Sequence, residues 1–409
     1  YVQLTYRNGK SMGIYALSAD EISAGKCTFN ALDLVFAGQF CGTEGLTAVG
    51  STTALTSLLT SLFLGLGVGV NVAMAHALGS KNSEAVSRVV HTAIPLALAG
   101  GFLLLVAGLF FSKSILVAMD TDPEVLDSAA LYMKIYFGGI TFNIVYNFCA
   151  SMLRASGDTK SPLIFLTSAG VVNVILNVIF VTIFHMNVAG VALATMLSQG
   201  IAATLVVRAL MRRTDACKLE LRKLCIRKNQ LLRILRIGLP AGIQSSLFAI
   251  SNVIIQSSIN SFGDIFVSGN AAAGNLEGFM YATVNSFHQT TVNYVGQNVG
   301  ARQYRRANNT VWICQSCVLV IGLAMGTALW GFGETLLGIY ITDSQDAIRH
   351  GLTRFNYVAL PYFVCGLMDV STGSLRGLGA SFTPMLLSIL GVCGIRIMWI
   401  YTVFQIPQF

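Results

Sequence analysis

Long apolar runs separated by short polar connections dominate the pattern along the chain. Ten of these runs hold roughly 20 or more residues, the length that a helix needs to cross about 30 Å of bilayer hydrocarbon. A shorter apolar stretch at 27–41 precedes them. The pattern predicts an all-α, polytopic membrane protein with about eleven membrane segments. The ten long runs lie at about 52–78, 89–111, 131–153, 163–185, 189–211, 238–262, 271–296, 311–333, 355–375 and 385–405.

Composition supports a lipid environment. Hydrophobic residues make up 54% of the 409 residues, charged residues make up 11%, and the mean hydropathy is +0.67. A soluble chain of this size is usually less apolar, so the lipid bilayer is the predicted partner. The net charge of +8 does not indicate nucleic acid, because the basic residues lie in short connections. The Cys314–Cys317 pair lies within one predicted span, which favours a packing role over a metal site.

The polar connections alternate in charge along the chain. Basic residues concentrate in every other loop, above all in the stretch 208–236, whereas acids such as Glu124 and Asp343 lie in the intervening loops. The positive-inside rule places the basic loops in the cytoplasm. We therefore predict a multi-pass protein of the cell membrane with its basic linker on the cytoplasmic side.

An internal repeat relates the two halves. The sequence LRASGDTKSP at 153–162 matches LRGLGASFTP at 375–384, and the loops HALGSK and QNVGAR match at nearly the same offset. In each motif the Arg caps a helix end at the headgroup level, Gly ends the helix and Pro begins the next one. Six apolar runs, an even number, separate the motifs, so the two halves run in the same direction. The repeated positions are Arg154, Gly157 and Pro162, with Arg376, Gly379 and Pro384.

The internal repeat and the basic stretch between its two copies divide the chain into two pseudo-symmetric helical bundles. We predict an atypical polar N-terminal segment at 1–26 and an N-terminal bundle at 27–211. A basic cytoplasmic linker follows at 212–236, and a C-terminal bundle occupies 237–409. No G-x-x-x-x-G-K-[ST] or H-E-x-x-H pattern occurs, so neither an ATP-driven pump nor a zinc enzyme is indicated. The chain is not predicted to be an enzyme or to hold a cofactor.

Several landmarks together resemble the multidrug and toxic compound extrusion (MATE) family. They are FNALDLVFAGQF with GTEGLTAVGS at 29–51, the HALGSK and QNVGAR loops, LRASGDTKSP, NVILN at 173–177, and MDVSTGSLRGLG at 368–379. The resemblance implies two six-helix bundles around a central cleft. It also implies export of bulky, often cationic compounds in exchange for H⁺ or Na⁺. No obligate protein partner is evident in the sequence, so a monomer is expected. The polar segment 1–26 and the end at Phe409 depart from the family's first and twelfth helices, so the chain is expected to be incomplete at both ends.

Intramembrane polar residues in the first half are candidates for ion coupling. Asp33 matches an acid that the family links to cation coupling, and an apolar environment favours its binding and release of H⁺. Asn173 and Asn177 share one helix face, as do Thr195 and Gln199. Their oxygens suit Na⁺ or a protonated acid. Many relatives have Asp at the position of Asn177, and the amide makes this site less negative. Interhelical hydrogen bonding is an equally open interpretation.

Three ionisable residues in the second half are candidates for the substrate cleft or for coupling. They are Glu277, Asp369 and Arg396. A charge at the middle of a membrane helix costs roughly 2.5 kcal/mol or more, so such residues have a partner or a role. We therefore hypothesise that Arg396 pairs with Asp369 or Glu277. Such an ion pair would be structural if it is static, and functional if substrate or H⁺ breaks it.

The sequence thus favours a secondary active efflux antiporter that works by alternating access on drugs or metabolites. Two alternatives remain open. One is a flippase for lipid-linked oligosaccharides in the same superfamily, which would need a strongly cationic cleft. The other is a non-transporting or structural membrane fragment.

Overall fold

The computed structural model describes residues 42–118, 123–260, 262, 264–340 and 345–402. The regular secondary structure of these residues is helical throughout, which confirms the all-α prediction. They form two compact units, one through Ser246 and the other from Leu247 onward. The predicted segment 1–26 and the apolar stretch 27–41 lie outside the described residues.

The first unit is built around one central helix, α3. This helix packs against α1, α2 and α5, and it carries the fully buried side chains of Phe137, Tyr146 and Phe148. The 3₁₀ turn Leu221–Lys223 lies between α5 and α6. The helices are α1 (Gly42–Gly79), α2 (Ser83–Ala118), α3 (Pro123–Ala155), α4 (Lys160–Val178, extended by the π-helical Ile179–Ile183), α5 (Asn187–Arg212) and the first part of α6 (Lys228–Asn260).

The second unit is built around α7, which packs against α8, α9 and α10. Its apolar core includes Leu276 and Met280 of α7 together with Leu337 and Phe355. Besides the end of α6, the helices are α7 (Asp264–Gly300), α8 (Tyr304–Tyr340), α9 (Gln345–Val358), α10 (Tyr362–Gly377), α11 (Phe382–Ser388, followed by the π-helical Ile389–Gly394) and α12 (Ile395–Tyr401).

Seven helical stretches in the described part are long and apolar enough to cross a membrane. The pair α9 and α10 makes an eighth if it is one span, and it is bent by 52°. The predicted single helix at about 355–375 is therefore wrong, because the chain leaves the helical conformation between Val358 and Tyr362. Pro361 explains the bend, because proline provides no N–H for the helical hydrogen bond and disfavours the α conformation at Leu360. The arrangement is that of a multi-pass membrane protein.

The segment between α5 and α6 is an ordered part of the first unit. The Glu220 N–H donates to Nε2 of His91 at 3.1 Å, and the Cys225 N–H donates to the His91 carbonyl at 3.3 Å. Cys217 and Leu219 are buried, and burial raises the pKa of the Cys217 thiol to about 11. Residues from Lys228 onward already belong to α6. The predicted linker at 212–236 thus contains the ordered segment 213–227 and the first turns of a helix.

The repeated motifs form the same turn in both units. Gly157 has φ 90° and Gly379 has φ 91°, a region that glycine enters without strain. Each glycine N–H donates to the carbonyl of the motif arginine, at 3.0 Å for Arg154 and 2.8 Å for Arg376. The arginines differ, however. Arg376 is only 8% exposed, whereas Arg154 is partly buried.

Close packing of α1 against α6 leads to a stability prediction. A Cβ at Gly65 would lie 2.1 Å from the nitrogen of Gly242, whereas a Cβ at Gly67 would meet nothing closer than the Ser151 Oγ at 3.6 Å. We expect Gly65→Ala to destabilise the fold by about 1–3 kcal/mol, because the backbones must separate. Gly67→Ala on the same helix serves as the control and should not lower the midpoint of thermal unfolding in detergent. Equal midpoints for the two variants would contradict this packing.

Candidate functional site

Helix α7 carries an unusual number of buried polar side chains. It lies at the centre of the second unit, where its neighbours cover it from most sides. Ionisable groups in a membrane protein's interior are costly and usually serve ion or substrate pathways. The polar side chains of α7 are therefore the candidate site of this unit. The buried polar residues of α7 are Glu277, Ser286, His288, Thr290, Thr291 and Asn293.

Glu277 forms a two-point ion pair with Arg354. Arg354 Nε donates to Oε1 of Glu277 at 2.8 Å, and Nη2 donates to Oε2 at 2.7 Å. Arg354 Nη1 donates to Oδ1 of Asn270 at 2.5 Å. Glu277 is only 6% exposed, so little water reaches its carboxylate, and Arg354 neutralises the charge instead. The hypothesis that Glu277 pairs with Arg396 is therefore wrong.

Arg354 is a residue that the sequence reasoning missed. The hydropathy pattern begins the apolar run at 355, so it places Arg354 in a connection outside the membrane segment. In the structure α9 includes Arg354 and packs along α7, so its guanidinium reaches Glu277. Pro361 was the available signal, because a proline near the start of an apolar run often separates two helices.

His288 links α7 to α10 through both ring nitrogens. Nδ1 lies 2.7 Å from the carbonyl oxygen of Asp369, and Nε2 lies 3.3 Å from Nη1 of Arg376. A carbonyl only accepts and a guanidinium only donates, so these partners assign the proton to Nδ1 of a neutral ring. Gly373 permits this contact, since a Cβ there would lie 2.9 Å from the His288 carbonyl. The contact fixes α10 beside α7 at the level of Asp369.

The Asp369 carboxylate differs from that of Glu277. Its side chain is partly buried, and no hydrogen bond or ion pair joins its carboxylate to any of the described residues. Its main charged neighbour is Arg376. Glu277 is thus neutralised by Arg354, while the carboxylate oxygens of Asp369 accept no hydrogen bond from the part of the chain that the structure describes. Of the two acids, Asp369 is the one that can bind and release a cation without breaking an ion pair.

Arg396 contacts a neutral partner. Its Nη1 donates to Oδ1 of Asn252 on α6 at 3.2 Å. Among the described residues, no salt bridge joins Arg396 to Asp369 or to Glu277. The predicted ion pair of Arg396 is therefore corrected to a hydrogen bond with an amide.

The first unit brings three of the predicted coupling residues together. Asn177 Nδ2 donates to Oδ1 of Asn173 at 3.1 Å, and Asn173 Nδ2 lies 3.5 Å from Oγ1 of Thr195. Gln199 lies one turn after Thr195, and its Oε1 is buried without a hydrogen-bond partner in the described part of the chain. Asp33 lies outside the described residues. The described members form a cluster of oxygens and amides between α4 and α5.

Comparison with known proteins identifies the family. A family model described as MatE matches residues 25–179 and 240–402, which is more than half of the chain. The chain belongs to the MatE family. The resemblance that the sequence motifs indicated is thus confirmed. Within the described residues, no group of three or more His, Cys, Asp or Glu is arranged to hold a metal ion.

Relatives of this MatE chain are named as drug-resistance proteins. The probable multidrug resistance protein YpnP of Bacillus subtilis is 28% identical over 375 residues, which cover 90% of this chain and 82% of that protein. The probable multidrug resistance protein NorM of Thermotoga maritima is 23% identical over 381 residues, which cover 90% and 80%. The matches therefore extend over most of both chains.

Solved structures share the fold. A MATE transporter in complex with MaL6 aligns with a TM-score of 0.89 at 19% identity, covering 96% of this chain and 89% of that one. An outward-facing MATE family transporter of the MOP superfamily aligns with a TM-score of 0.88, also at 19% identity, covering 96% and 88%. These likenesses show that the chain has the fold of MATE transporters.

Proposed function

We propose that this MatE chain is a secondary active exporter in the cell membrane. It would move bulky, mainly cationic drugs or metabolites outward in exchange for H⁺ or Na⁺, by alternating access. The observation that carries the proposal is the contrast between the two acids of the second unit. Glu277 is held by Arg354, while the carboxylate of Asp369 has no ion pair in the described part of the chain.

Competition for one carboxylate gives a simple basis for exchange. Ionised Asp369 attracts a cationic substrate, and the bound H⁺ or Na⁺ removes that attraction. The two ligands then cannot occupy the carboxylate together, which is what antiport requires. His288 supports the site by holding the backbone of Asp369, and its ring stays neutral beside Arg376.

The first unit supplies a second candidate for the coupling ion. The side-chain oxygens of Asn173, Asn177, Thr195 and Gln199 are ligands that Na⁺ accepts. Asn177 brings no charge, so the negative charge of this site would have to come from Asp33. We propose that this cluster assists coupling, and that Asp369 is the main group that exchanges a cation for the substrate.

Transport in proteoliposomes tests the proposal. The purified chain is reconstituted, and uptake or release of tetraphenylphosphonium, a bulky lipophilic cation, is followed under an imposed pH gradient and, separately, under a Na⁺ gradient. At least one gradient should drive the cation against its concentration gradient, and a protonophore or a Na⁺ ionophore should abolish that movement. Equal rates with and without both gradients would contradict ion-coupled export.

Two further expectations accompany this function. The basic linker at 212–236 faces the cytoplasm, and the chain works as a monomer with the lipid bilayer and small organic substrates as its partners. The flippase alternative requires a cargo with a pyrophosphate group. It would gain support if reconstituted protein translocated a fluorescent lipid pyrophosphate but not tetraphenylphosphonium.

A further inference from the structure

The segment between α5 and α6 and the first turns of α6 carry cationic and apolar side chains that are all exposed and close together in the sequence. Leu221, Ile226 and Leu232 are 55%, 48% and 54% exposed. Basic side chains lie between and beside them, and all are exposed. We call this set the linker surface. It consists of Lys218, Leu221, Arg222, Lys223, Ile226, Arg227, Lys228 and Leu232.

The linker surface has a fixed position, because its backbone is bonded to α2. Nε2 of His91 accepts from the Glu220 N–H at 3.1 Å, and the His91 carbonyl accepts from the Cys225 N–H at 3.3 Å. The Thr92 hydroxyl accepts from the Arg227 N–H and lies 3.3 Å from the Cys225 carbonyl. The segment is therefore held at both ends of its exposed stretch and is ordered before any ligand binds.

The anchoring residues also give the depth of the surface. Helix α2 begins with the exposed ion pair of Glu84 and Arg88, and its apolar run follows directly after His91 and Thr92. His91 and Thr92 thus lie where α2 changes from polar to apolar. That change marks the boundary between headgroups and hydrocarbon in a membrane helix. The linker surface is bonded to this boundary, at the ends of two further spans that end at Arg212 and begin at Lys228.

The charges of the linker surface are largely uncompensated. Lys223 pairs with Glu220 at 3.0 Å, and that pairing lowers the pKa of the Glu220 carboxyl. No acid lies within ion-pair distance of Lys218, Arg222, Arg227 or Lys228 among the described residues. Bulk water would suit these cations but not the three apolar side chains, and hydrocarbon would suit only the apolar ones. The headgroup layer suits both.

We propose that the linker surface is a binding site for anionic phospholipid. The phosphate groups would contact Arg222, Arg227 and Lys228, and Leu221, Ile226 and Leu232 would insert at the boundary of the acyl chains. If the segment served only to set the orientation of the chain in the membrane, it would need the charges but not a fixed backbone or exposed apolar side chains. Basic clusters beside membrane helices attract anionic lipid, and each Lys or Arg adds to that attraction, so three cations favour selective retention.

Native mass spectrometry of bound lipid tests the proposal. The full chain is purified from bilayers that contain phosphatidylglycerol and phosphatidylcholine in equal amounts, and lipid that stays bound is counted. The wild type should retain phosphatidylglycerol in preference. The triple variant Arg222→Gln/Arg227→Gln/Lys228→Gln should retain less phosphatidylglycerol than the wild type by a factor of at least about ten, because three attractive charges are gone.

A matched control removes the same number of charges elsewhere. Arg302 is exposed in the turn between α7 and α8, and Arg305 and Arg306 are exposed in the first turn of α8. Their replacement by Gln should lower phosphatidylglycerol retention less than the linker triple variant does. Excess inorganic phosphate should not displace the lipid, because it lacks the acyl chains that contact the leucines. Unchanged retention in the linker variant, or equal losses in both triple variants, would overturn the site. The readout does not depend on transport, so it stands apart from the export hypothesis.

Discussion

Asp369→Asn should abolish gradient-driven export. The amide has the shape of the carboxylate and keeps the backbone carbonyl that accepts from His288, so α10 should stay in place. Of the two acids Glu277 and Asp369, the variant removes the one that has no ion-pair partner among the described residues. Without the carboxylate, a bound cation loses its charged partner in the protein, at a cost of about 3 kcal/mol, which corresponds to roughly a hundredfold weaker substrate or ion binding. Tetraphenylphosphonium transport in proteoliposomes under the effective gradient measures this loss.

The controls for this prediction separate charge from structure. Asp369→Glu restores the charge and should recover part of the activity, while Glu84→Gln removes an exposed acid that is paired with Arg88 and should leave transport unchanged. Thermal unfolding in detergent should be similar for all three variants. Wild-type rates in Asp369→Asn would sink the proposed mechanism, whatever the fate of the lipid site.

Arg354→Met should destabilise the second unit severely. The change leaves the carboxylate of Glu277, 6% exposed, without its partner in the interior. Breaking a buried ion pair from one side costs about 3–5 kcal/mol, because the remaining charge is neither solvated nor paired. The double variant Glu277→Gln/Arg354→Met has no buried charge to compensate and should recover most of that stability. The midpoint of thermal unfolding and the yield of monodisperse protein report the difference.

Arg349 provides the matched control on the same helix. It is exposed, five residues before Arg354, so Arg349→Met should leave the midpoint unchanged. The prediction fails if the double variant is no more stable than Arg354→Met. Export by the stable double variant would further show that the pair is structural. Loss of export in the stable double variant would show that the Glu277–Arg354 pair acts in transport, in addition to Asp369.

Much of the fold can be predicted from hydropathy and from the residues at turns. Spans follow from apolar length, because the membrane requires every backbone polar group to be bonded within a helix. The two repeated turns follow from glycine positions, and Gly157 and Gly379 do share one left-handed conformation. The break between α9 and α10 was missed, since hydropathy averages over the single proline that causes it.

The sequence predicts candidate site residues, but it does not predict which of them contact each other. Asn173 and Asn177 were predicted to share a face from their spacing, a local property of one helix, and the structure joins them at 3.1 Å. The partner of Glu277 lies 77 residues away on another helix. Such a contact depends on how helices pack, which no local pattern encodes.

The sequence by itself determined that this chain is an all-α membrane protein with two related halves and a few costly intramembrane charges. Apolar length, loop charge and repeated turns are local signals, so they can be read without coordinates. Only the tertiary structure decided that Glu277 is neutralised by Arg354, whereas Asp369 has no ion pair with any residue in the described ranges. It also decided that the basic linker is bonded to His91 and Thr92. Those distinctions arise from contacts between helices that are far apart in the sequence, and they give the two acids of the second unit different surroundings.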